Sequence, residues 1–334
     1  MQRRNFIEKS MLAGAFATPA IYGSFSRQDK GSNILKADNT EDEVVIEHPA
    51  KGRPHVGKVL AVIQPHCDDI PLFASGTVAK LIHEGYTGYL IRTTNDDAAG
   101  TGNSVGERIL NNEKDNDAVA RVLGLDKVYD LGYKNHRMDE YNIQEIKGRL
   151  IFLFRLLKVD TVISYDPWGH YEENPDHYVT AKAVEAARWM AGSEDYPEQL
   201  EVVEPHAVTE RYYFSRGPQL VNRIVDISPF IDKKIESNLV CKTQGPGGNN
   251  GALLKKTLSE KGKKLAILGP DDVSANINYI KNFVLDIDSH RLRSVPSDRL
   301  IGEKYGLEWA ESFHYFGPET SLTDQYVEKN AVPK

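Results

Sequence analysis

Two short motifs hold residue types able to bind a metal ion and use it. The first is Pro65-His66-Cys67-Asp68-Asp69 and the second is Asn174-Pro175-Asp176-His177. A catalytic zinc takes three protein ligands, drawn from His nitrogen and carboxylate oxygen, and keeps a further position for water. His66 and Asp69 can converge on one ion from a tight turn, and His177 supplies the third ligand. Asp68 stands between the first two, so it can stay off the metal and take the proton of a water activated there. Each motif alone has a plainer account. Asp68 and Asp69 would cap one helix, Asp176 would cap another, and His177 would be a surface residue near a helix start. Together the motifs offer two imidazoles, a carboxylate ligand and a free carboxylate, which favours the metal. Zinc fits this set, and iron or another divalent ion suits two His and one carboxylate as well.

The elements around these residues must bring them together. Lys58–Gln64 (KVLAVIQ) is a compact apolar run suited to a strand buried on both faces. Leu72–Glu84 predicts a helix, with Leu72, Phe73, Leu81 and Ile82 for its inner side. Tyr89–Thr94, Lys127–Leu131 and the β-branched Thr161–Tyr165 predict further strands. Glu107–Gly124, Ile143–Leu157 and Asp176–Met190 predict helices, the first stopped by Gly124. Strand and helix thus alternate from residue 56 to residue 190, the pattern of an α/β fold with a mostly parallel sheet and right-handed crossovers. Ligands of such folds bind at the carboxyl ends of the strands. The loops at Pro65–Pro71, Asn95–Gly106 and Asp166–Asp176 lie there and carry both motifs. The loop NDDAAGTGNSVG suits close approach of a hydroxyl-rich ligand, which makes Asn95 a candidate substrate contact; an ordinary mobile loop is the plainer account. Beyond Tyr196 the pattern is less regular, with strands at Arg211–Ser215 and Arg223–Ile227 and a helix at Pro229–Cys241.

The chain has 334 residues, a net charge of −7 and no dense Lys/Arg block, so a nucleic-acid partner is not expected. No apolar run of about 18 residues is present, so no stable membrane span is expected either. Residues 1–26 pair Arg3-Arg4 with Phe6-Ile7, an apolar stretch from Met11 to Tyr22 and the triplet Ala15-Phe16-Ala17. This is the pattern of a twin-arginine export signal and predicts an exported, periplasmic protein. Residues 27–55 read as a polar linker, 56–318 as one catalytic domain, and 319–334 as a loose C-terminal tail. The two cysteines, Cys67 and Cys241, are too few for a disulfide scaffold. A single bridge, or Cys67 as a ligand, stays open beside the plainer account of a small buried filler.

In these motifs the sequence resembles the PIG-L/LmbE-like de-N-acetylases, zinc enzymes that hydrolyse the acetamide of N-acetylglucosamine conjugates. Their P-H-P-D-D-E stands here as Pro65-His66-Cys67-Asp68-Asp69-Ile70, and their H-P-D-H as Asn174-Pro175-Asp176-His177. The likeness runs from about Val56 to Met190 and more faintly through Asp226, Lys234 and Gln244. It implies an LmbE-like domain, a Rossmann-like three-layer α/β/α sandwich. It implies His66, Asp69 and His177 as zinc ligands, Asp68 as the general base for the attacking water, and Asp176 as a group that orients its neighbours. The expected substrate is a small molecule or glycan bearing an N-acyl amine.

The departures bear on chemistry. Asn174 replaces a His that assists the tetrahedral intermediate and the leaving group. Asn donates a hydrogen bond to an oxyanion but delivers no proton at neutral pH. His170 is then a candidate for the proton-delivering role, and Tyr171 a candidate to polarise a substrate carbonyl. Asn174 also motivates a second reading, a catalytically silent carbohydrate-binding or metal-binding protein, against which the intact Asp68 argues. Hydrolysis of another bond, such as an ester, is a third. A nucleotide-binding Rossmann enzyme is disfavoured, because no G-x-G-x-x-G follows the first strand.

Overall fold

The computed structural model describes residues 44–318 and 322–333. The predicted export signal, residues 1–26, and the linker up to residue 43 lie outside the described residues. Residues 44–318 belong to one compact unit.

Its strands are β1 (Val45–Glu47), β2 (Val59–Gln64), β3 (Thr87–Thr94), β4 (Lys127–Tyr133), β5 (Thr161–Tyr165), β6 (Glu210–Phe214), β7 (Arg223–Asp226) and β8 (Ala310–Phe316). They form one sheet in the order β1-β7-β8-β6-β5-β2-β3-β4. Every pairing is parallel except those of β8 with β6 and β7. The helices α1 (Asp69–Phe73), α2 (Ser75–His83), α3 (Val105–Leu123), α4 (Ile143–Leu157), α5 (Pro175–Met190) and α6 (Ile231–Val240) cover it. Further on come α7 (Asn250–Glu260), α8 (Asp272–Tyr279) with a π-helical continuation over Ile280–Ile287, α9 (Ser289–Arg293) and α10 (Asp298–Lys304).

Strand β2 shows why the sheet is buried twice. Leu60 and Val62 pack into one apolar core with Val78, Leu81, Val119 and Ile235, from α2, α3 and α6. Ala61 and Ile63 point the other way, into a core with Ile146, Leu150, Phe154 and Val184, from α4 and α5. The two-residue repeat of a strand sends alternate side chains to opposite faces, so an unbroken apolar run fills both layers. The predicted three-layer sandwich is therefore observed. No helix among the described residues is long and apolar enough to cross a membrane.

Three features differ from the sequence expectation. The helix predicted over Leu72–Glu84 breaks at Ala74, whose φ of −141° leaves the helical region. There the new start of α2 gives Gly76 N and Thr77 N to the buried Glu311 carboxylate, at 3.0 and 2.8 Å. The polar linker contributes β1, which extends the sheet beyond β7. The predicted loose tail contains a helix, α11 (Leu322–Asn330), described apart from the sheet unit.

Candidate active site

The site is built at the carboxyl ends of β2, β4 and β5. The turn after β2 carries His66, Asp68 and Asp69, with Asp69 opening α1. Pro175 starts α5 at a position where its missing N–H is no loss, and this puts Asp176 and His177 in the first turn. The loop after β4 brings Asn135 and His136 alongside.

His66, Asp69 and His177 are all buried, and one ligand atom from each lies within 4.8 Å of the others. His177 Nε2 is 3.1 Å from His66 Nδ1, and Asp69 oxygens are 3.4 and 3.6 Å from those nitrogens. The outer nitrogens face carboxylates in turn. His66 Nε2 is 2.9 Å from Asp176 Oδ2, and His177 Nδ1 is 3.0 Å from Glu172 Oε2. Imidazoles whose far nitrogens face carboxylates are the usual surroundings of a metal site, so this donor set fits a divalent cation. Asp69 is further fixed by Tyr165, whose hydroxyl donates to Asp69 Oδ1 at 2.7 Å and whose ring stacks on His177 at 4.2 Å.

A second group able to hold a metal is His66, His136 and Asp176. Its carboxylate is already committed. Asp176 Oδ2 accepts from the His136 backbone N–H at 2.5 Å and from Asn135 Nδ2 at 3.3 Å, and Oδ1 accepts from Met138 N at 3.2 Å. Asp176 thus meets His66 and the Asn135–Met138 loop at once.

The electrostatics favour a cation. Burial opposes protonation of His66, yet the carboxylates of Asp176 and Asp69 outweigh it and hold the ring well above the usual imidazole range. Burial would raise Asp69, but the charges of His177 and His66 bring it down to about 2. Asp68 moves the opposite way: burial and the charge on Asp69 push it up to about 7. Its side chain makes no hydrogen bond to the start of α1, so the helix-capping account does not describe it. Asp68 instead lines a cavity of about 210 Å³ with the three clustered residues, Asn135, His136, Asn174, Arg216 and Gln244. Leu72, Phe73, Ala99, Pro246 and Leu292 supply the apolar wall.

Asn174 divides its amide between two duties. Oδ1 caps α5 by accepting from Asp176 N at 3.0 Å, while Nδ2 lies 3.3 Å from His177 Nε2 and so faces the cluster. The other candidates from the same loops stay outside. His170 is exposed and absent from the cavity lining, and its backbone N–H donates to Pro218 O at 3.0 Å. Tyr171 is 89% exposed at a φ of 63°. Asn95 spends its Oδ1 on a local turn with Asp97 N at 3.1 Å, and Ala99 is the residue of that loop that reaches the cavity. Cys67 and Cys241 are buried free thiols with sulfurs 3.8 Å apart, and Cys67 belongs to neither group able to hold a metal. The contact with Cys241 and burial push the Cys67 thiol well up, as suits an inert filler. Of the fainter sequence matches, Gln244 lines the cavity, while Lys234 is a buried ion-pair partner of Glu311 and Asp298.

Sequence reasoning missed Glu172, Asn135, His136 and Arg216, which loops bring in with no motif to mark them.

The family described as PIG-L: GlcNAc-PI de-N-acetylase matches residues 61–188, from β2 through most of α5. A diacetylchitobiose deacetylase of Thermococcus kodakarensis is 28% identical over 202 residues, covering 57% of this chain and 71% of that protein. The N,N'-diacetylchitobiose deacetylase of Pyrococcus horikoshii superposes with a TM-score of 0.59 at 22% identity, over 80% of this chain and 88% of that one. The 4-carboxy-2-hydroxymuconate hydratase GalB of Pseudomonas putida has a TM-score of 0.53 at 16% identity, over 79% and 98%.

Proposed function

We propose that this chain, which carries a PIG-L-type domain over residues 61–188, is a metal-dependent amidohydrolase that removes an acetyl group from the nitrogen of an amino-sugar substrate. The likeness to a hydratase as well as to deacetylases means that fold alone does not choose the reaction. The observation that carries the reading is a buried two-His, one-carboxylate cluster beside Asp68, a carboxylate that belongs to the cavity but not to the cluster.

His66, Asp69 and His177 would hold the ion, zinc by preference. Bound there, it supplies Lewis-acid polarisation of the amide carbonyl and acidifies a water. Asp68 takes the proton of the attacking water. A base near pH 7 is matched to that duty and also to returning the proton to the departing amine, which leaves no need for His170. Asn174 Nδ2, facing the cluster, donates to the oxygen on which negative charge develops. Asn135 is buried on the cavity wall with Oδ1 unbonded to any described protein group, an acceptor for a sugar hydroxyl.

The reading predicts release of acetate and a free amine from N-acetylglucosamine or its β-linked disaccharide, stopped by chelator and restored by Zn²⁺. Metal-loaded protein inert on a panel of N-acyl amino sugars would refute it. Export through the twin-arginine route belongs to the same reading. Replacing Arg3-Arg4 by Lys-Lys should retain the protein in the cytoplasm, and unchanged fractionation would exclude the route.

A further inference from the structure

One carboxylate beside His177 reaches two parts of the site at once. Glu172 lies in the loop between β5 and α5, with its side chain 9% exposed. Its two oxygens serve different partners. Oε2 is 3.0 Å from His177 Nδ1, the nitrogen turned away from the cluster, and Oε1 accepts from Asn174 N at 2.9 Å. Arg216 stands 3.9 Å from the same Oε1, its side chain 33% exposed. It is the one Lys or Arg among the residues lining the cavity.

We infer that Glu172 is a positioning residue for the metal centre, acting through His177 and Asn174, and that Arg216 holds it in place. An imidazole that gives one nitrogen to a cation carries its proton on the other, and a carboxylate at that second nitrogen fixes the tautomer and strengthens the ligand. Asp176 is hydrogen-bonded to His66 in this way; Glu172 Oε2 stands 3.0 Å from His177 Nδ1, and neither atom makes another hydrogen bond among the described groups, so each is free for the other once the ring is held at Nε2. A merely local role in the turn would need only the bond to Asn174 N and would not bring Oε2 to the imidazole. The second oxygen adds a link. By fixing the Asn174 backbone, Glu172 sets the amide that faces the cluster in register with His177, the ligand three positions beyond that N-cap. The inference rests on the metal-centre reading and not on the identity of the substrate.

The test is Zn²⁺ affinity, measured on metal-stripped full-length protein by competition with a chelating dye. Glu172→Gln should weaken Zn²⁺ binding about 10- to 100-fold, with the melting temperature of the metal-free protein unchanged. Arg216→Gln should weaken it about two- to fivefold, and should add nothing in the Glu172→Gln background, because it acts through that carboxylate. Affinity of Glu172→Gln within twofold of the parent, or full additivity of the two substitutions, would overturn the inference. Should Glu172→Gln fail to fold, Arg216→Gln alone decides, and unchanged affinity overturns it. A parent protein that takes up no Zn²⁺ would overturn the metal centre itself. A parent that binds Zn²⁺ beside an unaffected Glu172 variant would overturn only the role of Glu172.

Discussion

Gly245 packs its α-carbon against Asp68: a Cβ built on Gly245 would stand 2.8 Å from both Asp68 Cβ and Asp68 Oδ2. Gly245 also has a φ of 81°, in the region that favours glycine. The loop after α6 therefore fixes the rear of the Asp68 carboxylate, and nothing larger than hydrogen fits. Gly245→Ala should displace Asp68 and lower turnover about 10- to 100-fold, with metal content retained. Turnover equal to the parent would show that this contact does not position Asp68.

The pH dependence follows from Asp68. The base works ionised, and its carboxyl is pushed up to about 7. A bound dication opposes protonation, so the acid limb of kcat/KM should fall with a one-proton slope at or below pH 7. In metal-free protein the sign for stability runs the other way. From about pH 4 to pH 7 the folded protein keeps a proton that the unfolded chain has released, so Asp68 detracts from stability as pH rises through that window. Metal-free Asp68→Asn should melt above the metal-free parent at pH 8, by about 2 °C or more, and the gap should close by pH 4. An equal melting temperature at pH 8 would contradict the environment assigned to Asp68.

Asn174 can be separated into its two duties. Asn174→Asp keeps an acceptor for the α5 cap but loses the donor beside His177. Stability should hold within about 0.5 kcal/mol, while kcat falls about 10²- to 10³-fold. Unchanged kcat would leave Asn174 as a helix cap only.

The exposed residues of the neighbouring loop give the opposite expectation. His170→Ala and Tyr171→Ala should each leave kcat and KM within about twofold of the parent, since neither side chain lines the cavity. A larger loss in kcat for His170→Ala would mean that the loop closes over bound substrate.

Why His177 lines the cavity and His170 does not is a matter of main-chain geometry. Both follow β5, and both are residue types that do chemistry. His177 sits in the first turn of α5, where helix geometry fixes its direction. His170 belongs to an irregular segment whose backbone bonds to Pro218, nearly fifty positions away. The fold was legible for a similar reason: alternating apolar strands and helices from Val59 to Met190 are local patterns, each readable within its own window. Strand β1 was not, because Val45–Glu47 gains its identity only from pairing with Arg223–Asp226. Glu172, Arg216 and Gly245 share that limitation. Their roles are contacts between loops, and no spacing in the chain records them.

The most direct measurement compares acetate release from N-acetylated amino sugars by the parent, the chelator-treated parent and Asp68→Asn, with metal quantified in every sample. The account predicts activity in the parent, none after chelation until Zn²⁺ is restored, and a loss of about 10²- to 10⁴-fold in Asp68→Asn at parental metal content. Asp68→Asn protein that holds its metal and turns over like the parent would contradict it.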